Sequence, residues 1–352
     1  MKLQQISRHA GEWLRGNGPS GDVVISSRVR LGRNLAGFPF TNRCTAHQRR
    51  EIRQRCQDVL LTERFGDDLL WVDLAETTQI ERQMLVERQL ISRKLAEGTD
   101  ELGGAVAVDS AETFAVMINE EDHLRLHALR SGLQLESAFE QVNHLDDLLE
   151  ERLDYAYSQR FGYLTACPTN VGTGIRVSVL LHLPALRMTG EIEKVRRAAR
   201  DMHLAVRGLF GEGSEALGDL YQISNQTTLG KSEAEILSEF EAMVAPQIIA
   251  YEQQARQALL RQRPQQVADK VWRAWAILTH ARLMKTEEVL ALLSHLRLGV
   301  YLSQIDRVDL PAINELMLLA QSGHLQKLEN REMDPAARRE ARANLIRQRL
   351  VR

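Results

Sequence analysis

Cysteine is scarce in this chain: Cys44, Cys56 and Cys167 are the only three among 352 residues. None sits in a CxxC pair, and an odd count argues against a disulfide framework or a zinc cage. There is no excess of charge either, since 45 Lys and Arg face 47 Asp and Glu for a net −2. That balance disfavours a globally basic nucleic-acid binder and an acidic tail protein. No apolar run approaches the ~18 residues of a membrane span. The opening MKLQQISRHAGEW is too polar for a signal-peptide core. A reduced, soluble, cytoplasmic protein is expected, touching neither membrane nor nucleic acid directly. The glycine segments around Cys167 and Arg207 spell neither GxxxxGK[ST] nor GxGxxG, so neither is a Walker A loop or a Rossmann fingerprint. Acids and histidines form no second cluster at ligand spacing, so no metal held by side chains is expected.

What is present is an ordinary globular composition, 44% apolar and 26% charged, long enough for about two domains. Asp22–Arg30, Leu70–Leu74, Gly104–Asp109, Phe114–Asn119 and Ile175–Leu183 read as strands. Gly104–Asp109 and Phe114–Asn119 lie four residues apart, which predicts an antiparallel hairpin. Leu135, Phe139, Val142, Leu149, Leu153 and Tyr157 recur at helical spacing. The expected fold class is therefore α+β, an antiparallel sheet flanked by helices. From about residue 245 strand signals cease, and an all-helical region is expected over residues 251–352 after a unit over 20–250. Ala245–Pro246 and Arg263–Pro264 are candidate linkers. In the helical part Val271, Trp275 and Leu278 form a stripe and Thr286 is a candidate cap. Pro311 suits a first turn, and Gly299 and Gly323 read as stops.

Four segments hold side chains suited to chemistry. In Ser26-Ser27-Arg28-Val29-Arg30, a strand puts Arg28 and Arg30 on one face about 7 Å apart, which suits a polyanion. An edge strand with two solvated arginines fits the same pattern. Asn119–Arg125 (NEEDHLR) sets three acids beside His123 and Arg125, offering general bases next to a cation, or simply a charged helix start. Residues 165–176 join Cys167, a Pro-initiated turn and two glycines to a strand carrying Arg176; such backbone can approach an anion closely. Arg207-Gly208-Leu209-Phe210-Gly211-Glu212 again combines an arginine with glycines.

Together SSRVRLGRNL, NEEDHLR, CPTNVGTGIR, the Arg207 segment and SNQTTLGKSE resemble the ATP:guanido phosphotransferases, in that family's order. EGSEALGDLYQISNQTTLGKSE and the helical extension are similar to its bacterial protein-arginine kinase branch. The resemblance implies a phosphagen-kinase-like fold and ATP as co-substrate, with Mg2+ carried by the nucleotide. Arg28, Arg30, Arg125, Arg176 and Arg207 match the family's phosphate-clamping arginines. The implied nucleotide contacts run through Ser26–Arg30, Gln89, Arg125, Arg176-Val177-Ser178-Val179-Leu180 and Arg207–Glu212. Glu121 matches the catalytic base with Asp122 beside it, and Cys167 matches the reactive cysteine.

Three positions depart from the pattern. Thr228 stands where phosphagen kinases carry another arginine, and Gln89 replaces a histidine of the protein-arginine kinases. Arg338, Arg339 and Arg342 resemble that branch's phosphoarginine pocket, with Arg339 in place of an acid. The leading expectation is a kinase that phosphorylates arginine in proteins, marking them for quality control. A small-molecule guanidino kinase and a catalytically weak phosphoarginine adaptor are the alternatives. Family resemblance also implies a homodimer, a zinc-binding activator protein and a AAA+ protease as partners.

Overall fold

The computed structural model describes residues 3–6, 10–62, 65, 69–98, 103–209 and 216–351. The strands in chain order are β1 (Val24–Arg33), β2 (Leu70–Asp73), β3 (Ala105–Val108), β4 (Phe114–Ile118) and β5 (Leu124–Ser131), followed by β6 (Tyr157–Ser158), β7 (Gly162–Tyr163), β8 (Ile175–His182), β9 (Leu204–Arg207) and β10 (Leu220–Asn225). Eight form one sheet in the order β2-β3-β4-β5-β1-β8-β10-β9, and β6 pairs with β7. Every pairing is antiparallel, including the expected β3–β4 hairpin.

Strand periodicity gives this sheet two different faces. Val29, Leu31, Val177, Val179 and Ile223 point to one side and bury against Leu135, Val142 and Leu149 of the Leu135–Glu150 helix. On the other side Ile25, Leu129, Leu180 and Leu220 pack on Val271, Leu290 and Leu293 of the C-terminal helices. The same face therefore carries apolar residues where helices cover it and arginines where they do not.

Several local expectations change. The Leu135 helix ends at Glu150, so Leu153 lies beyond it and Tyr157 belongs to β6. Ala245–Pro246 is no linker, because the chain runs through a π-turn at Phe240–Val244 directly into the Ala245–Gln262 helix. Arg263–Pro264 does mark the junction to the next helix, Pro264–His280. Thr286 is the first residue of the Thr286–Tyr301 helix, and Lys285 takes the capping position. Gly299 stops nothing: it lies inside that helix, where a Cβ would meet Val271 Cγ1 at 2.4 Å. Gly323 likewise lies in the Ser322–Leu328 helix, where a Cβ would stand 2.7 Å from the Met84 backbone nitrogen. Both are close-approach glycines. Pro311 occupies the expected first turn. Among the described residues no helix is long and apolar enough to cross a membrane.

Candidate active site

The uncovered strip of the sheet becomes a cleft because four strands bring arginine to one face. Arg30 on β1 lies opposite Arg176 on β8 and opposite His127 on β5. Arg28 shares its face two residues earlier, Arg125 lies two before His127, and Arg207 ends β9 opposite Gln222. All five arginines line one cavity of about 680 Å³. Burial, then the like charges of Arg125, Arg176 and Arg207, push Arg28 down to about 10. Burial and the same neighbours lower Arg30 strongly, and burial with Arg207 and Arg125 lowers Arg176. A guanidinium nonetheless stays charged at neutral pH. The cleft thus concentrates like charges whose repulsion a polyanion would relieve.

The β4–β5 connection supplies the acids. Asn119 takes a left-handed turn (φ 58°), which asparagine tolerates, and its amide donates to the carbonyls of Arg49 and Gly103 at 2.9 and 3.0 Å. Glu120 and Glu121 both reach Arg125, at 2.7 and 2.9 Å. Glu120, held also by the Ser92 hydroxyl at 2.8 Å, is buried, yet Arg125 keeps its carboxyl below the usual range. Glu121 is the acid left on the rim, and it lines the cleft together with Cys167. The Cys167 sulfur lies 3.0 Å from the Thr169 hydroxyl. Asp122 does not line the cleft. Its Oδ1 accepts from Asn34 Nδ2 and from the Ala166 backbone N–H, both at 2.7 Å, so it ties the Glu121 loop to the Cys167 loop.

Of the residues expected at the nucleotide, Arg28, Arg30, Gln89, Arg125, Arg176, Arg207 and Leu209 line the cavity. Gln89 accepts from Arg28 Nη1 at 3.1 Å. Val29, Val177 and Val179 point away into the opposite core, and Leu180 lies under the C-terminal helices. Ser26 and Gly208 are buried, and the Ser27 hydroxyl donates to the Gly132 carbonyl at 2.8 Å. Ser178 lies beneath Arg28, donating to its carbonyl at 3.3 Å. These side chains shape the floor and offer the cleft no contact of their own. Phe210, Gly211 and Glu212 lie outside the described residues. Thr228, buried where an arginine was noted as missing, donates its hydroxyl to the Val171 carbonyl at 2.7 Å and so closes the Cys167 loop.

Sequence reading missed His127, Gln222 and Asn170, all of which line the cleft. His127 is 1% exposed, and neither ring nitrogen has a hydrogen-bond partner among the described residues. Its only sequence signal is its place two residues after Arg125 on a strand. Among the described residues no group of three His, Cys, Asp or Glu is placed to hold a metal.

The three C-terminal arginines lie on the Pro335–Leu350 helix. Arg342 is buried and turned onto the Ala320 carbonyl (2.6 Å), the Met284 carbonyl (3.0 Å) and the Ser322 hydroxyl (3.2 Å). Arg338 donates to the Met333 carbonyl at 2.7 Å, while Arg339 is exposed. Arg342 therefore serves the joint between helices, because burial leaves a guanidinium no alternative to carbonyl partners.

Residues 51–255 match the family model "ATP:guanido phosphotransferase, C-terminal catalytic domain", and residues 264–352 match "Protein-arginine kinase McsB C-terminal domain". The chain is 46% identical to a protein-arginine kinase of Halothermothrix orenii, over 98% of each chain. It is 43% identical to one of Geobacillus stearothermophilus, over 96% of this chain and 93% of that one. Among solved structures, lombricine kinase matches with a TM-score of 0.58 and 28% identity, over 71% of this chain and 70% of that chain. The duplicated taurocyamine kinase of Schistosoma mansoni matches with a TM-score of 0.59 and 26% identity, over 70% of this chain and 35% of that longer chain. The chain belongs to the ATP:guanido phosphotransferase family, in the company of its protein-arginine kinases.

Proposed function

We propose that the chain is a protein-arginine kinase, transferring the γ-phosphoryl group of ATP to arginine guanidinium groups in proteins. The observation that carries this reading is one cleft lined by five arginines with Glu121 and Cys167 at its edge. Arg28, Arg30, Arg125, Arg176 and Arg207 would hold the triphosphate and spread the charge of a loose phosphoryl transition state. Mg2+ carried on the nucleotide would neutralise part of that charge.

A guanidinium is protonated at neutral pH and is a poor nucleophile until it loses a proton. As the acceptor nitrogen bonds to phosphorus and the bond to the β-phosphate oxygen breaks, Glu121 takes the nitrogen's proton and ADP leaves. Arg125, bonded to both Glu120 and Glu121, keeps that carboxylate aimed. By family resemblance, Cys167 would polarise the guanidinium from the other side. Asp122 positions both loops without touching the reacting atoms. His127, unpartnered among arginines, is available to a phosphate oxygen.

A small-molecule guanidino kinase would share the cleft; the match of residues 264–352 to a protein-arginine kinase domain favours the polypeptide acceptor. A cytoplasmic, homodimeric enzyme acting in protein quality control with an activator and a AAA+ protease extends the reading by resemblance. The deciding experiment supplies ATP and Mg2+ with casein, an arginine peptide or free L-arginine at equal guanidinium concentration. Acid-labile phosphate should appear faster on the polypeptides, and faster transfer to free arginine would overturn the assignment.

A further inference from the structure

His127 lies on β5 between Arg30 of β1 and Ala115 of β4, two residues after Arg125. It lines the arginine cleft, yet it is 1% exposed and both ring nitrogens lack a hydrogen-bond partner among the described residues. Its β4 neighbours on that face, Ala115 and Met117, have no polar side-chain atom to offer. Arg28 Nε, Arg30 Nε and Gln89 Nε2 share its condition: each is buried and unpartnered among the described residues, and all three residues line the same cleft. Buried polar groups in folded proteins are hydrogen-bonded in the great majority. Four such residues around one cavity leave the missing partner to a molecule that enters it. The guanidinium Nε and the amide nitrogen only donate, so that partner is an acceptor, and the five arginines of the cleft select an anion.

We propose that His127 is a phosphate-binding residue of the nucleotide site and gains a proton when the triphosphate enters. The inference rests on the kinase reading for the identity of the anion, and adds a proton balance to it. A neutral imidazole carries one N–H, which would donate to a phosphate oxygen beside the Arg28 and Arg30 donors. In the free protein burial first, then Arg28, Arg30 and Arg125, hold the ring well below its ordinary 6.5. Those charges come from β1 and from β5 itself, while Ala115 and Met117 of β4 carry none. Gln89, past the Gln79–Glu87 helix, is neutral, and Glu121 on the rim is paired with Arg125. Arg176 and Arg207 belong to β8 and β9, on the far side of β1. A triphosphate answers the three nearest arginines at once and accepts from the ring, and both effects favour the imidazolium. The proton comes from solvent, and the ring then donates from both nitrogens.

The test measures binding of ADP with Mg2+ and, separately, of inorganic tripolyphosphate, by calorimetry in buffers of different ionisation heat. Wild type is compared with His127→Gln, which keeps a donor but cannot titrate, and with His127→Leu, which keeps bulk alone. A thermal melt of each variant checks that it is folded. At neutral pH wild type should take up a larger fraction of a proton per ligand than either variant, because the ligand's own titration cancels in the comparison. Its affinity should gain on that of His127→Gln as the medium is acidified, by at most about tenfold per pH unit. His127→Leu should bind both ligands about 10–100-fold more weakly, the loss of a hydrogen bond to a charged group. Equal proton uptake in all three proteins, or equal affinities, would overturn the assignment. A loss confined to ADP would overturn it too, by placing His127 at the base. Transfer to casein by the wild type is assayed alongside: its absence would end the kinase reading, while the phosphate assignment stands or falls on tripolyphosphate.

Discussion

Glu121 and Arg125 show how single side chains divide the labour of the cleft. Arg125 answers two carboxylates, one buried and one on the rim, and only the rim acid is free to meet an acceptor. Glu121→Gln keeps the shape and the hydrogen bond but cannot take a proton, so turnover should fall by ~10²–10⁴-fold while ATP affinity stays within a few-fold. Near-normal turnover in a rapid-quench assay would remove Glu121 from the mechanism. Arg176 has different work, since it faces the charge that develops on phosphorus. Arg176→Ala should slow transfer by ~10³-fold or more, and unchanged nucleotide affinity together with unchanged rate would end the clamp assignment. The arginines were legible because strand period two puts Arg28 and Arg30 on one face. His127 was not, since a lone histidine on a strand carries no mark until its neighbours are known to be Arg28, Arg30 and Arg125. The partners of Arg342 were not legible either, because a basic pattern on a helix looks alike whether its guanidinium meets solvent or carbonyls.

At the scale of elements, strands were read well because their alternation reports burial directly. The helix ends were read less well, and glycine explains two of the failures. A glycine after an apolar stripe suggests a stop, but the same residue also allows two helices to touch. Only the packing partner separates the cases, and at Gly299 the partner is Val271. Gly299→Ala decides between these roles by experiment. If Gly299 merely terminated a helix, alanine would be neutral or would stabilise by up to about 1 kcal/mol through helix propensity. With Val271 Cγ1 at 2.4 Å from the new Cβ, overpacking of ~1–3 kcal/mol should win instead. The variant's melting temperature should fall by a few degrees, and an unchanged or raised value would contradict the packing.

Across the whole molecule, catalytic sheet and C-terminal helices are joined by buried polar groups as well as by apolar contact. His182 at the end of β8 is wholly buried and sits 2.9 Å from Arg297 Nη1 and 2.9 Å from the Ser294 hydroxyl, both on the Thr286–Tyr301 helix. Arg297 can only donate, so Nδ1 accepts and the ring is neutral with its proton on Nε2. Ser294 then passes its own proton toward Asp219 Oδ2 at 2.6 Å, and the other oxygen of Asp219 pairs with Arg187 at 2.6 Å. Burial first, and then Arg297, Arg256 and His295, hold His182 well below its ordinary 6.5. His127, buried among Arg28, Arg30 and Arg125, is lowered in the same way. Below pH 6.5 the unfolded chain binds protons at both histidines that the folded chain refuses. Stability is therefore full above 6.5 and falls as the medium is acidified, by about 1.4 kcal/mol per pH unit for each histidine. Burial raises Asp122, Asp146 and Glu252 above the usual carboxylate range, and such groups have the opposite sign, favouring the fold as they protonate. Their proton uptake in the folded chain begins at the raised values, so they offset part of the histidine slope. Melting temperature measured from pH 7.5 to 5.0 is expected to be flat above 6.5 and to drop below it. Replacing His182 with Asn removes one titrating site and should lower the plateau while making the acid slope shallower. A wild-type melting temperature constant down to pH 5 would mean that His182 and His127 are not held neutral in the folded protein.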